Sequence, residues 1–189
     1  MLHRSQLTAI ETVDQENLVG SSNVGFGQAS GVKYRGTVFT PGQAILDALA
    51  FQMGGLGAGN DMDIFLTDVD QTTNLPTGSP LATWTIAGAD LSTSLKTYVL
   101  SPSYTSMTPG HKYAFYFGPS LSGSYNDDYR DMKFYNNAPS GDGVISIKYD
   151  TGAWATEALV NVFQTLYASN QLRNAATGRA AATGRSIVT

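Results

Sequence analysis

Cysteine is absent and histidine nearly so, with only His3 and His111 in 189 residues. Without a thiol there is no disulfide framework, no thiolate zinc site and no cysteine nucleophile. Charge is sparse too: Asp, Glu, Lys and Arg make up 14% of the chain, against the usual quarter. The 15 acidic and 11 basic side chains leave a net charge of −4, which argues against a protein built to grip a phosphate backbone. No run approaches the ~18 apolar residues of a membrane span. The start, Met1-Leu-His-Arg-Ser-Gln-Leu-Thr-Ala-Ile, lacks the apolar core of a secretory signal. The expectation is a protein made in a cytoplasm, outside any membrane and without direct nucleic-acid binding.

What is present suits a β protein. Apolar residues make up 42% of the chain and aromatics 11%, enough for one domain of ordinary size with a real core. Gly, Ser, Thr, Asn and Gln fill the space that charge leaves. From about residue 31 to 169, short apolar stretches alternate with turn signals, the rhythm of a sandwich or barrel. Strands are expected at Lys33–Thr40, Asp63–Thr67, Leu81–Ala87, Thr97–Leu100, Lys112–Phe117, Met132–Tyr135, Val144–Tyr149 and Val160–Tyr167. In Leu81–Ile86 the period is two, with Ala82, Trp84 and Ile86 on one face. Gln43–Phe51 has good helix formers. Leu49, Phe51 and Met53 nevertheless share a strand face between Pro41-Gly42 and Gly54-Gly55, so strand is preferred. The core is expected to bury Phe39, Leu49, Phe51, Phe65, Trp84, Phe115 and Phe117. Asp68–Pro80 reads as one long turn.

The flanks differ in composition. Residues 1–30 are polar and Gly/Ser-rich and read as an N-terminal arm, with helix or strand both open for Leu7–Val13. Residues 170–189 form an Ala/Gly/Thr/Arg-rich tail with a tandem repeat, Ala175-Ala-Thr-Gly-Arg-Ala then Ala181-Ala-Thr-Gly-Arg-Ser. The tail carries Arg173, Arg179 and Arg185 and no acid, leaving −7 on the rest of the chain. Such a segment cannot bury enough apolar surface to fold alone.

Chemistry is thin. A nucleophile needs a base within hydrogen-bond reach, yet His3 is in the arm, His111 follows a Pro-Gly turn, and no Gly-x-Ser-x-Gly elbow occurs. Glutamate is confined to Glu11, Glu16 and Glu157, a poor supply for a glycosidase pair. The expectation is no enzyme, no catalytic residue and no cofactor. Asp61, Asp63, Asp68 and Asp70 offer oxygen ligands of the kind calcium takes, although solvated turn carboxylates are the simpler reading and the spacing is not that of an EF-hand. Tyr125, Tyr129 and Arg130 bring hot-spot residue types to the loop 120–130. Trp154 reads as the edge of the core in a turn, with a ligand platform as the other possibility. Arg173, Arg179, Arg185, Ile187 and Val188 are the tail's contact residues, suited to acidic neighbours and an apolar pocket.

Ordered phrases support a resemblance. Tyr34-Arg-Gly-Thr-Val-Phe-Thr-Pro41, Asp63-Ile-Phe-Leu-Thr67, Leu75-Pro-Thr-Gly-Ser-Pro-Leu-Ala82, the stretch Leu100–Ala114 and Phe163-Gln-Thr-Leu-Tyr167 resemble, in order, the strands and turns of jelly-roll β-sandwich domains. Such domains occur in phage virion proteins and bacterial surface proteins and are related in shape to carbohydrate-binding modules. The resemblance covers about 130 residues and marks turns and core, not chemistry. It implies an all-β, antiparallel jelly-roll sandwich over 31–169, with the arm and tail outside it. It further implies a non-enzymatic structural protein of a tailed-phage virion, such as a capsid decoration, collar or tail subunit. Its partners would be copies of itself and other virion proteins. The alternative is a carbohydrate-binding or adhesin module with a surface glycan as ligand. Relatives of this kind often hold a structural calcium.

Overall fold

Residues 45–55 form a strand of 11 residues, so alternation prevails over helix propensity in this segment. The reason lies on both of its edges, where neighbouring strands take up its backbone groups while Leu49, Phe51 and Met53 enter the core. The computed structural model describes residues 12–16, 22–26, 32–55, 61–94, 96–100, 104–119, 130–134, 145–150, 152–157 and 165–169. In chain order the strands are β1 (Thr12–Glu16), β2 (Ser22–Phe26), β3 (Val32–Phe39), β4 (Ile45–Gly55), β5 (Met62–Val69) and β6 (Pro76–Ile86). They continue with β7 (Lys96–Leu100), β8 (Tyr113–Pro119), β9 (Arg130–Phe134), β10 (Ile145–Asp150), β11 (Ala153–Glu157) and β12 (Thr165–Ser169). One 3-10 turn, Gly88–Asp90, is the sole helical element among the described residues.

All described pairings are antiparallel, in two six-stranded sheets. One runs β11-β10-β3-β8-β5-β6; in the other β4 is central, with β7 on one side and β12 then β9 on the other. The rows β1-β12-β4-β7 and β3-β8-β5-β6 give an eight-stranded jelly roll, because those strands counted in chain order stand as 1-8-3-6 against 2-7-4-5. The β10–β11 hairpin widens one sheet beyond β3, and β2 extends the other beyond β9.

Between the sheets Phe39, Leu46, Leu49, Phe51, Met53, Ile64, Leu66, Phe115 and Phe117 are buried in one cluster. Phe51 meets Phe117 across the sandwich with ring centroids 4.9 Å apart, and Phe39 stacks on Phe115 at 5.0 Å. Each such phenyl contributes roughly 1.5–3 kcal/mol by leaving water. Trp84, at an edge strand, is half-buried against this core. Phe65 is buried as expected, but on the other face of its sheet, where it meets Tyr34 and Tyr116.

Three expectations need correction. Two segments of the supposed arm, Thr12–Glu16 and Ser22–Phe26, are sheet strands paired with β12 and β9. Trp154 lies on strand β11, not in a turn. The long turn is shorter, since β5 runs to Val69 and β6 starts at Pro76. Its register jumps from Leu66↔Ala82 to Asp68↔Thr77, a bulge that contains Gly78 with φ 67°. Of the closing strand expected over Val160–Tyr167, residues 165–167 lie in β12, and residues 160–164 fall outside the described part.

Candidate functional site

Among the described residues, the outward face of the sheet β11-β10-β3-β8-β5-β6 carries the most unusual chemistry. Register places Trp154, Tyr149 and Tyr34 directly across from one another on β11, β10 and β3. The next row on the same face runs Thr156, Ile147, Gly36, Tyr116, Phe65 and Thr83. Five rings therefore gather on a surface that alternation alone would leave polar. Trp154 meets Tyr116 at 4.9 Å, Tyr149 at 5.3 Å and Tyr34 at 6.3 Å between centroids. Tyr34 in turn meets Tyr116 at 5.5 Å and Phe65 at 5.9 Å. Phe65 and Tyr34 form the buried floor, while Tyr116, Tyr149 and Trp154 are half-buried above them.

Local sequence explains this arrangement. Gly118 and Gly36 leave room beside the rings: a Cβ at Gly118 would overlap the Tyr34 ring, and one at Gly36 would overlap the backbone of Phe115 and the Cβ of Tyr116. A bulge in β3, between Tyr149↔Tyr34 and Asp150↔Val32, re-aims Lys33. Its ammonium reaches 5.2 Å from the Tyr34 ring centroid, a cation–π distance. On the inward side, an ion cluster fastens the hairpin to β3. Arg35 donates to Glu157, and Lys148 lies 3.5 Å from Glu157 and 4.0 Å from Asp150.

Polar groups flank the rings. The Thr85 hydroxyl donates to buried Asp63 Oδ1 at 2.6 Å, and Thr83 and Thr85 are exposed on β6. Burial, reinforced by nearby Tyr34, pushes the Tyr116 phenol up to about 12. Tyr116 therefore keeps its O–H through the neutral range as a hydrogen-bond donor.

The four aspartates expected near one loop go to separate partners. Asp61 Oδ1 accepts from Gly88 N at 2.8 Å, and Asp63 serves Thr85. Asp68 Oδ1 lies 2.7 Å from His111 Nε2. Asp70 Oδ1 accepts from the Thr72 and Thr73 amides, and those bonds lower its pKa. Among the described residues no group of three or more His, Asp or Glu converges as a metal cage. His111, Gln71, Lys112 and Asn74 join Asp68 in a network that pins the 70–75 turn to the start of β8.

Of the expected contact residues, Trp154 stands in the aromatic cluster. Arg130 is on β9, in a strand whose side chains lie outside the described part, as do Tyr125, Tyr129, Arg173, Arg179, Arg185, Ile187 and Val188 entirely. Sequence reading missed Tyr34, Tyr116 and Tyr149 as site members. The signal was the alternation itself, which puts Tyr116 opposite in direction to Tyr113, Phe115 and Phe117, and puts Tyr149 two residues past Ile147.

The class of molecule these features define is a jelly-roll β-sandwich with an aromatic outer face. No protein-family model matches the sequence, and a search of curated proteins finds no significant relative. Among solved structures, the cysteine protease and lectin-like domains of Cwp84, a surface layer associated protein of Clostridium difficile, are similar in fold. The TM-score is 0.55 at 14% identity, over 85% of this chain and 36% of that one. At that identity the likeness supports a β-sandwich fold and carries no residue role.

Proposed function

We propose that this domain is a carbohydrate-binding module, a lectin-like unit that binds glycan without transforming it. The observation that carries the reading is the half-buried group of Trp154, Tyr149 and Tyr116 on the outward face, above buried Tyr34 and Phe65 and beside the small apolar cluster of Val38, Ala114 and Ile147. Aromatic rings offer an apolar plane to the C–H face of a pyranose, and phenols and threonines offer bonds to its hydroxyls. The fold likeness to a surface protein with a lectin-like domain supports the same reading. A virion structural role, with copies of the chain as partners, rests on the sequence resemblance alone, so the glycan reading takes precedence.

Affinity electrophoresis through gels holding soluble polysaccharides tests it. At least one polysaccharide should retard the full chain, and Trp154→Ala should migrate as in an empty gel while retaining the wild-type far-UV spectrum. Equal retardation of wild type and Trp154→Ala would dismiss the site.

A further inference from the structure

The rings of the outer face are not coplanar, and that decides what shape of glycan they fit. Tyr149 is inclined to Trp154 by 67°, Tyr116 by 63°, and Tyr34 to Tyr149 by 63°. Tyr34 alone lies near-parallel to Trp154, at 27°, and at 8% exposure it is floor and not platform. The physical cause is partly the sheet. Successive strands turn by roughly 20–25°, so rings rooted on β11, β10, β3 and β8 fan out instead of lining up.

We infer that this site, taken as a glycan site, binds flexible soluble polysaccharide or oligosaccharide and not the flat face of a crystalline one. A crystal face presents many sugar rings in one plane and needs aromatic rings in one plane to meet them. Here the indole of Trp154 is flanked by two tyrosine rings standing steeply to it, which makes a corner for one sugar ring. Beyond the corner the same face turns polar. Exposed Thr156 lies two residues from Trp154, and exposed Thr83 and Thr85 lie on the β6 edge.

The inference rests on the carbohydrate reading, and one experiment separates the two. The full chain is incubated with microcrystalline cellulose and crystalline chitin, and separately titrated in gels with soluble xylan, glucomannan, laminarin and bacterial cell-wall polysaccharide. Expected is retention by a soluble glycan, no depletion by either crystalline powder, and a loss of at least about tenfold in affinity for Trp154→Ala. Tyr149→Phe, which keeps the ring and its packing, should weaken binding less and guards against a merely unfolded Trp154 variant. Depletion by a crystalline powder that matches or exceeds soluble retention overturns the inference and leaves the carbohydrate reading standing. Binding to neither form overturns the carbohydrate reading, and the inference with it.

Discussion

Gly118 and Tyr34 are neighbours across β8 and β3, and the Tyr34 ring lies where a side chain at 118 would be. The ring can lie down over β8 only because that position has no Cβ. The ring also meets Phe65, Tyr116, Tyr149 and Trp154, which leave it little room to retreat. This is the device by which a sheet glycine is covered by an aromatic on the adjacent strand.

Gly118→Ala should therefore destabilise the protein by about 1–3 kcal/mol, the usual range for overpacking. In a domain of this size that is a fall in Tm of several degrees. The double variant Tyr34→Ala/Gly118→Ala should be less unstable than the sum of the single changes. Calorimetry of the four proteins measures the coupling, and strict additivity would refute the packing relationship.

The Arg35–Glu157 pair predicts an asymmetry. Their side chains are 8% and 16% exposed, so removing the carboxylate takes a charged partner from a poorly hydrated guanidinium. Glu157→Ala should cost about 1–3 kcal/mol, tempered by partial solvent access. Arg35→Met/Glu157→Met, which removes both charges, should cost less than either single charge removal. Urea midpoints at constant m-value supply the comparison.

Tyr116 gives a test at high pH. Its folded pKa, about 12, lies above the ordinary 10, so the folded state holds a proton that the unfolded state releases first. The stability tied to that proton is complete below pH 10 and is lost as pH rises from 10 through 12. Tyrosinate absorbance should contain a late component near pH 12 that is missing in Tyr116→Phe. If that variant titrates like wild type, the late component belongs elsewhere.

Because the aspartates at 61, 63, 68 and 70 have internal partners, EDTA should leave the Tm unchanged and added calcium should not raise it. A rise of several degrees with calcium, reversed by EDTA and lost in Asp68→Asn or Asp70→Asn, would reveal a cation in this loop.

Much of the sandwich was legible because period-two alternation is a local property. Ala82, Trp84 and Ile86 face the core as the pattern required, and Gly78 in the β6 bulge and Gly110 in its turn take positive φ. Other elements were not legible. Thr12–Glu16 and Ser22–Phe26 are short and weakly patterned, and what makes them strands is a partner strand distant in sequence. Ala153–Glu157 is short too, and pairs as a hairpin with β10 just before it. Trp154 was readable as a residue, but not as part of a group, since its neighbours lie on three other strands.

The sequence by itself determined the class of fold: alternating apolar residues, turn glycines and prolines, no cysteine and little charge leave a β-sandwich as the way to bury the available surface. It also determined which residues of β8 face inward, because successive side chains of a strand must point to opposite sides. Only the tertiary structure decided that Tyr34, Phe65, Tyr116, Tyr149 and Trp154 meet on the outer face. Their meeting depends on the register of five strands, on a bulge at Lys33 and on glycines beside the rings. Register is fixed by long-range pairing and by burial of the opposite face, and these are properties of the assembled sheet that no single stretch of sequence contains.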